Sequence, residues 1–270
     1  MTEPLLEVKH LTRDYLLRSR DGFARQSLRA VDDVSLSVAR GEVLGIVGES
    51  GCGKSTLARI VMALDRPTAG EVLLEGTSLF TLGAAELRRR RRDFQMVFQD
   101  PYGSLDPRHS VGRIIAEPLH LESRAATIAD RVAAALESVG LKADDAKRYP
   151  HEFSGGQRQR IAIARALMTS PKLLVADEAV SALDLSVQAQ ILQLLMDLKR
   201  RNGLTMLFIS HNLGVIEEIA DRVGVMYAGK LVEIGATGEV LHRPQHAYTQ
   251  RLLDAEPTLD MIGRRRRVTA

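Results

Sequence analysis

The sequence predicts an α/β fold in which a largely parallel β-sheet is wrapped by helices. Short apolar runs alternate with helix-length amphipathic stretches along most of the chain, which is the pattern of such a sheet. Near the N-terminus, apolar residues alternate with polar ones, and this predicts a separate antiparallel sheet at the edge. Between Pro101 and about Ala164 the pattern is helical only, which predicts a helical subdomain inserted into the sheet domain.

The apolar runs define the individual elements. Val43–Val47 is the first buried strand, and a glycine-rich turn and a helix over Lys54–Leu64 follow it. The other predicted core strands are Glu71–Leu74, Phe94–Phe98, Leu173–Ala176 and Met206–Ile209, followed by a hairpin of Val223–Tyr227 and Leu231–Ile234. The other predicted helices are Val111–Glu117, Ile128–Val139, Arg158–Met168 and Val187–Arg201.

Composition excludes several classes of protein. Of the 270 residues, 45% are hydrophobic and 26% are charged, which is typical of a globular protein with a sizeable core. No apolar run approaches the roughly 20 residues of a membrane-spanning helix, and the first residues do not have the pattern of a signal peptide. The single cysteine, Cys52, rules out an intramolecular disulfide and a multi-cysteine metal cluster. We therefore expect a cytoplasmic protein.

The strongest motif lies directly after the first buried strand. Gly48-Glu-Ser-Gly-Cys-Gly-Lys54-Ser55 matches G-x-x-x-x-G-K-[ST] between a predicted strand and a predicted helix. In this motif backbone N–H groups converge on phosphate oxygens, the lysine reaches the β- and γ-phosphates, and the serine hydroxyl binds Mg²⁺. The residues of this predicted phosphate loop are Gly48, Glu49, Ser50, Gly51, Cys52, Gly53, Lys54, Ser55 and Thr56. A glycine-rich turn without a ligand is the structural alternative.

Two adjacent carboxylates follow the predicted strand Leu173–Ala176. Ligands of parallel α/β sheets collect at the carboxyl ends of the strands, which is where Asp177 and Glu178 stand. We expect Asp177 to hold Mg²⁺ and Glu178 to act as the general base toward a water molecule aimed at the γ-phosphate. The alternative is an acidic pair that caps a helix.

A second motif narrows the class of protein. Ser154-Gly-Gly-Gln157 precedes a predicted helix and forms another helix start suited to an anion, since serine is a good N-cap and glycines permit close backbone approach. One triphosphate does not need two such sites from one chain. With this motif the sequence resembles the ATP-binding cassette (ABC) ATPases, whose signature is of the S-G-G-Q type. Ser154, Gly155, Gly156 and Gln157 are therefore candidate nucleotide-binding residues, and the resemblance covers about Leu5 to Leu253.

The resemblance implies a P-loop NTPase (RecA-like) core and roles for four further residues. Tyr15 matches the aromatic residue that stacks on adenine, and Gln99 matches the glutamine that senses Mg²⁺ and the attacking water and couples to membrane subunits. Asp184 matches the end of the loop that links two ATP sites, and His211 matches the histidine that contacts the γ-phosphate. The resemblance also implies two subunits packed head to tail, with each ATP between the phosphate loop of one and Ser154–Gln157 of the other.

The same resemblance divides the chain into three parts. Residues 1–99 and 165–245 form the nucleotide-binding core with its antiparallel sheet, 100–164 the helical signature subdomain, and 246–270 a C-terminal helix and a basic tail. Two positions depart from the usual family pattern: Ala179 stands where most relatives have proline, and Phe153 where leucine is usual. Neither change removes a reactive group.

Four stretches resemble the oligopeptide, dipeptide and nickel importers within the family. They begin at Met96, Tyr149, Ser186 and His246, the last being His246-Ala-Tyr-Thr249. This resemblance implies the second, F-type ATPase of a pair that energises import of small peptides or metal–ligand complexes. The implied partners are a second ATPase subunit that is a different chain, two transmembrane permease subunits and, indirectly, an external solute-binding protein. The implied location is the cytoplasmic face of the inner membrane.

Runs of arginine, Arg88–Arg92 and Arg264–Arg267, leave one alternative open. Such runs bind nucleic acid in some proteins, but a solvated helix face or contact with anionic lipid headgroups is the commoner reading. The alternative function is a soluble ABC-type ATPase that acts on nucleic acid or ribosomes. We expect no nucleic acid, because the chain has one cassette, no coiled-coil addition and only 4% aromatic residues. A kinase-type P-loop protein would leave Ser154–Gln157 and His211 without a role.

Overall fold

The computed structural model describes residues 3–18, 25–119 and 125–255. In these ranges the strands are β1 (Leu6–Arg18), β2 (Arg25–Val38), β3 (Val43–Val47), β4 (Ala69–Leu74), β5 (Thr77–Ser78), β6 (Phe94–Val97), β7 (Leu173–Asp177), β8 (Thr205–Ile209), β9 (Arg222–Tyr227) and β10 (Lys230–Ala236). The α-helices are α1 (Lys54–Val61), α2 (Ala84–Arg90), α3 (Pro101–Ser104), α4 (Val111–Ala116), α5 (Ala125–Ser138), α6 (Gly155–Leu167), α7 (Leu185–Asn202), α8 (Leu213–Ile219), α9 (Thr237–His242) and α10 (Ala247–Ala255). None of the helices in these ranges has the length and apolar character needed to cross a membrane. The predicted basic tail with Arg264–Arg267 lies outside the described residues.

The larger sheet has the strand order β10-β9-β3-β8-β7-β6. Neighbouring strands from β9 to β6 run parallel, and β10 pairs antiparallel with β9 as the second arm of the predicted hairpin. The predicted parallel sheet and hairpin are therefore confirmed. Because parallel strands end on the same side, the carboxyl ends of β3, β8, β7 and β6 share one edge of the sheet.

The smaller sheet is antiparallel and has the order β2-β1-β4-β5. It confirms the N-terminal antiparallel sheet, but β4, which contains the predicted core strand Glu71–Leu74, belongs to this sheet and pairs with β1. Only Val72 and Leu74 of β4 are buried, at alternating positions, as expected for a strand with one exposed face. Strand β5 was not predicted, since a strand of two residues carries no periodic signal.

Two hydrophobic clusters explain why the core strands read as continuous apolar runs. In β3, Val43 and Val47 belong to the cluster shared with the helical region, whereas Leu44 and Ile46 belong to the cluster under the antiparallel sheet. Alternate side chains of a strand point to opposite faces, so a strand covered on both faces is apolar throughout. All five residues of β3 are buried.

The region between β6 and β7 is helical, as predicted, and contains no strand among its described residues. Helix α6 packs against α4 and α5 and also contacts β6. It extends from Gly155 to Leu167 and so continues past residue 164, where the sequence places the end of the helical subdomain. The division of the chain into domains stays a prediction.

The ends of two helices differ from the predicted ends for identifiable reasons. Helix α1 ends at Val61 instead of Leu64, because Ala63 has a left-handed backbone with φ 48°. Helix α7 begins at Leu185, directly after its N-cap Asp184, and ends at Asn202 before Gly203, whose φ of 63° is typical of a helix C-terminus.

Candidate functional site

The predicted phosphate loop joins β3 to α1, as the motif requires. At two positions of the loop only glycine fits, because the backbone of another strand or turn lies too close for a Cβ atom. A Cβ atom on Gly53, whose φ is 109°, would lie 2.2 Å from the carbonyl oxygen of Ala30, and one on Gly48 would lie 2.2 Å from that of Met226. The loop is also tied to the β9–β10 turn, because the Gly229 N–H donates to the Cys52 carbonyl at 2.9 Å. The loop conformation is thus set by neighbouring strands as well as by its own sequence.

Lys54 is the buried cation of this loop. Its side chain is directed back over the loop, where Nζ donates to the carbonyl oxygens of Gly48 at 2.7 Å and of Glu49 at 2.9 Å. Only 4% of Lys54 is exposed. The neighbouring thiol of Cys52 is buried as well, and this burial raises its pKa, so the thiol stays protonated at neutral pH and fills space in the loop.

Ser55 and Asp177 come together from opposite halves of the chain. The Ser55 hydroxyl donates to Oδ1 of Asp177 at 3.2 Å across 122 positions of sequence. Burial raises the pKa of the Asp177 carboxyl, and the negative charge of Glu178 raises it further, while the bond from Ser55 and the charge of Lys54 lower it. A nearby cation strongly stabilises the charged form of a carboxylate that is desolvated in this way.

The donor set fits Mg²⁺. One hydroxyl and one carboxylate oxygen converge beside the phosphate loop, and Mg²⁺ typically uses one or two protein ligands together with water and substrate phosphates. No cluster of three or more histidine, cysteine, aspartate or glutamate side chains suited to a metal occurs in the described part of the chain. The ion would therefore be held jointly by Ser55, Asp177 and a bound triphosphate.

Glu178 and His211 form the second polar pair at this edge. Nδ1 of His211 lies 3.4 Å from Oε1 of Glu178, with 55% of the histidine side chain and 19% of the glutamate side chain exposed. Glu178 donates its backbone N–H to the Ile209 carbonyl at 2.9 Å and so ties β7 to the end of β8. Two side chains suited to handling a proton therefore face each other, and one of them directly follows Asp177 in the chain.

Two further predicted site residues, Gln99 and Tyr15, lie after β6 and on β1. Gln99 is exposed and follows the carboxyl end of β6, the neighbour of β7. Tyr15 lies on β1, where its hydroxyl donates to Oδ2 of Asp65 at 2.6 Å and the Arg13 guanidinium covers its ring at 4.5 Å. These bonds fix the orientation of the Tyr15 ring. The predicted roles of Gln99 and Tyr15 stay predictions.

The signature motif begins a helix, as predicted. The Ser154 hydroxyl accepts the Gln157 N–H at 3.3 Å and the Gln157 side-chain oxygen accepts the Ser154 N–H at 3.0 Å, which is a capping box. Gly156 lies so close to Val187 that a Cβ atom would come within 2.3 Å of Cγ1 of that valine, so the starts of α6 and α7 are packed together. The Asp184 carboxylate caps α7 by accepting the Val187 N–H at 3.0 Å.

The structure therefore brings the phosphate loop together with the polar residues at the carboxyl ends of β7 and β8, but keeps the signature motif separate from them. Lys54, Ser55, Asp177, Glu178 and His211 meet at the edge of the large sheet. Among the described residues, no hydrogen bond or ion pair of the signature motif reaches the phosphate loop.

Four of the five arginines in the run Arg88–Arg92 are exposed, and Arg90 is partly buried. Arg90 pairs with Asp93 at 3.0 Å and Glu75 at 3.1 Å, Arg91 donates to the Ala63 carbonyl at 3.0 Å, and Arg89 pairs with Glu86. Arg88 lines an open groove of about 470 Å³ that also includes Phe98. Helix α2, which carries Arg88–Arg90, has no buried residue, so the run is mainly a solvated helix face with local ion pairs, and its role stays a prediction.

Tyr248 is a residue of the site that sequence reasoning missed. Its hydroxyl accepts the backbone N–H of Glu49 in the phosphate loop at 3.2 Å, and only 3% of the residue is exposed. The sequence singles out His246-Ala-Tyr-Thr249 as a resemblance to importers but carries no signal that α10 reaches the loop, because the contact spans 199 positions.

The fold and this sheet edge define a P-loop nucleotide-binding protein, and the comparisons with known proteins name its family. The family model for ABC transporters matches residues 31–181. The chain is 48% identical over 272 residues to the oligopeptide transport ATP-binding protein OppF of Bacillus subtilis, covering 99% of this chain and 87% of OppF. It is 51% identical over 270 residues to a Brucella ovis protein named for peptide import and ATP binding, covering 99% of this chain and 83% of that protein.

Solved structures agree with this similarity. A dimeric post-hydrolysis state of the ATP-binding cassette MJ0796, bound to ADP and Pi, matches with a TM-score of 0.76 at 30% identity, covering 86% of this chain and 98% of that chain. CbiO1 of Clostridium perfringens, part of an ABC transporter complex, matches with a TM-score of 0.79 at 26% identity, covering 98% of this chain and 99% of that chain. The chain belongs to the ABC transporter family and is an ATPase of that family. The alternative of a nucleic-acid or ribosome ATPase finds no support in these relatives.

Proposed function

We propose that this chain hydrolyses ATP to energise the import of small peptides or metal–ligand complexes. The observation that carries the proposal is the convergence of Lys54, Asp177 and His211 at one edge of the sheet, where β3, β7 and β8 end. Peptide cargo is supported by the relatives named for peptide import and oligopeptide transport, which resemble this chain over almost its whole length. Metal–ligand cargo rests on the resemblance of four stretches to nickel importers.

The phosphate loop and its cation bind the triphosphate. From its position beside the loop carbonyls, Lys54 reaches the β- and γ-phosphates, and the glycine backbone supplies N–H donors. Ser55 and Asp177, together with Gln99 after the end of β6, would hold Mg²⁺. Mg²⁺ neutralises phosphate charge when it is bound. Tyr15 stacks on the adenine.

Glu178 and His211 handle the water. The Glu178 carboxylate accepts a proton from a water molecule while the oxygen of that water attacks the γ-phosphorus. ADP then leaves with the electrons of the broken P–O bond. The His211 imidazole lies 3.4 Å from the Glu178 carboxylate, close enough to orient it, and contacts the γ-phosphate.

The signature motif completes the site of a second chain. Ser154–Gln157 offers the free N–H groups of a helix start, and the partial positive charge of that start attracts the γ-phosphate of ATP bound to the partner. Asp184 lies between the two sites. ATP then drives closure of a head-to-tail pair because the triphosphate is bound better by the closed pair than by the open one, and hydrolysis releases the pair. A dimeric cassette structure with ADP and Pi supports this arrangement by similarity.

The remaining partners follow from the family. A second ATPase chain, two permease subunits and an external solute-binding protein form the importer, with this chain held at the cytoplasmic face of the inner membrane by the permease. Gln99 and the groove lined by Arg88 and Phe98 stand on adjoining surfaces, which supports coupling of ATP hydrolysis to a bound subunit.

Reconstitution with the membrane partners tests the proposed function. The complex is placed in vesicles, and ATP is supplied on the side that the ATPase subunits face. ATP turnover is then measured with the solute-binding protein loaded with peptides or with metal complexes. We expect peptide-loaded binding protein to raise turnover severalfold over unloaded protein. ATP turnover that is unchanged by every peptide but raised by a metal complex would show that the cargo is a metal complex. Turnover that responds to neither would contradict an import role.

A further inference from the structure

The stretch His246-Ala-Tyr-Thr249 places one side chain directly against the phosphate loop. Tyr248 lies in α10, and its hydroxyl oxygen accepts the Glu49 N–H at 3.2 Å. The proposed function gives this contact no role. Helix α10 is thereby joined to the phosphate loop.

The contact acts on a peptide group that also holds Lys54. The Glu49 N–H and the Gly48 carbonyl belong to the same planar peptide unit. The carbonyl accepts Nζ of Lys54 at 2.7 Å, while the N–H donates to Tyr248 at 3.2 Å. One peptide is therefore held at both ends, by the cation that binds phosphate and by the tyrosine hydroxyl. Rotation of this peptide would break both hydrogen bonds together.

Tyr248 is itself rigidly placed. Its ring packs on that of Tyr227 with centroids 4.1 Å apart. The Glu233 carboxylate on β10 accepts the N–H groups of Gln245 at 2.9 Å and His246 at 3.1 Å and so anchors the entry to α10. Burial raises the pKa of the Tyr248 hydroxyl, and the nearby Glu49 carboxylate raises it further, so this group remains a neutral acceptor at physiological pH.

We propose that Tyr248 is a positioning residue for nucleotide binding, which orients Lys54 through the Gly48–Glu49 peptide. The inference rests on the proposed function of the phosphate loop. A peptide held in one orientation keeps the Lys54 ammonium beside the phosphate position before nucleotide arrives, and preorganisation of this kind increases affinity. ATP and ADP depend on it alike, because Lys54 reaches the β-phosphate that both carry.

The test compares Tyr248→Phe with Tyr227→Phe. Each substitution removes one hydroxyl and keeps the ring stack, but only the Tyr248 hydroxyl contacts the loop. Dissociation constants for ATP and ADP are measured by calorimetry on the full chain, and KM and kcat on the assembled ATPase. We expect Tyr248→Phe to raise the dissociation constants for ATP and ADP, and the KM for ATP, by about 3- to 10-fold, because one hydrogen bond is lost. We expect kcat at saturating ATP to change by less than about twofold, since the lost interaction is present before and during the reaction.

Three outcomes would overturn the inference. These are unchanged affinity in Tyr248→Phe, equal weakening in both variants, and a fall in kcat without a rise in KM. Thermal unfolding of each variant, recorded without nucleotide, separates a local effect from loss of folded protein. If the unchanged chain binds neither ATP nor ADP, the proposed nucleotide site itself fails, which is a different result from failure of Tyr248.

Discussion

At the scale of single residues, Glu178 is held in a backbone conformation that few residues adopt. Its φ is 50°, in the left-handed region, which costs of the order of 1–2 kcal/mol for a residue with a Cβ atom. The bonds that maintain it are the N–H donated to Ile209 and the carbonyl that accepts the Ser181 hydroxyl at 2.9 Å. The conformation directs the carboxylate toward His211. A residue held in this way is suited to a fixed position beside a reacting group.

The first prediction concerns this carboxylate. Glu178→Gln keeps the shape and the backbone bonds but removes the group that accepts the proton. We expect ATP affinity within about threefold of the unchanged chain and turnover lowered by about 100-fold or more, in line with the usual contribution of a general base. Phosphate release and nucleotide binding are measured side by side.

The control for this prediction is Glu71→Gln, which removes an exposed carboxylate on β4. It should leave both measurements unchanged. Near-normal phosphate release by Glu178→Gln would remove Glu178 from its proposed role.

At the scale of elements, one partly buried carboxylate joins four parts of the fold. Glu75 lies in the turn between β4 and β5 and pairs with Arg40 at 2.6 Å, Lys172 at 2.7 Å and Arg90 at 3.1 Å. These cations come from the connection before β3, the start of β7 and the end of α2. The bond from Lys172, followed by that from Arg40, lowers the pKa of Glu75 to about 2, and desolvation opposes the shift. Glu75 thus connects the antiparallel sheet to the parallel one.

This cluster predicts a pH-dependent contribution to stability. The folded pKa of Glu75 is below its ordinary value of 4.5, so its contribution is complete above about pH 4.5 and is lost as the pH falls toward 2. We expect Glu75→Gln to lower the free energy of unfolding at pH 7 by about 1–3 kcal/mol, the usual range for hydrogen bonds to charged groups. The difference between the two proteins should shrink as the pH is lowered through this window.

Denaturant unfolding at several pH values measures this effect, and Asp144→Asn is the matched control. Asp144 also pairs with a lysine, Lys147, but 89% of its side chain is exposed, and exposed pairs contribute little. Equal loss of stability in Glu75→Gln and Asp144→Asn would contradict a special role for the Glu75 cluster.

At the scale of the whole molecule, the two helix starts suited to anions are built on different parts of the chain. The phosphate loop precedes α1 in the sheet region, and Ser154–Gln157 precedes α6 in the helical region. Within one chain the capping box of Ser154 satisfies the motif locally. We expect its remaining N–H groups to meet a phosphate only when two chains pack head to tail.

This arrangement predicts the behaviour of a signature variant. In a Glu178→Gln background, ATP should drive the chain, alone or with its partner ATPase, into a stable dimer. We expect Ser154→Arg to abolish this dimer while ATP binding by the single chain stays within about threefold, because a large cation would occupy the phosphate-facing helix start. Size-exclusion chromatography with light scattering measures the assembly.

Ser138→Arg provides the matched control for the dimer. It adds the same charge at an exposed position near the end of α5, where the hydroxyl bonds only to the Ala135 carbonyl. This variant should form the dimer as readily as its parent. A Ser154→Arg protein that still dimerises with ATP would remove the signature motif from the interface.

Much of the fold could be predicted because its signals are local. The double-faced burial of β3 appears as five consecutive apolar residues or glycine, and the glycines of the phosphate loop record backbone contacts that only glycine tolerates. The sheet to which β4 belongs could not be predicted, since its sequence shows which face is buried but not which strand it pairs with. The end of α1 at Val61 depends on the backbone of Ala63, for which the sequence has no marker.

The sequence by itself predicted the class of this protein, most elements of its core and the candidate residues of its site. These properties rest on short-range rules, because side-chain period, helix caps and phosphate-binding glycines involve residues a few positions apart. Only the tertiary structure decided that Ser55 meets Asp177, that Glu75 holds three cations and that Tyr248 reaches the phosphate loop. Such contacts join residues far apart along the chain, and they exist only once the strand order has been established.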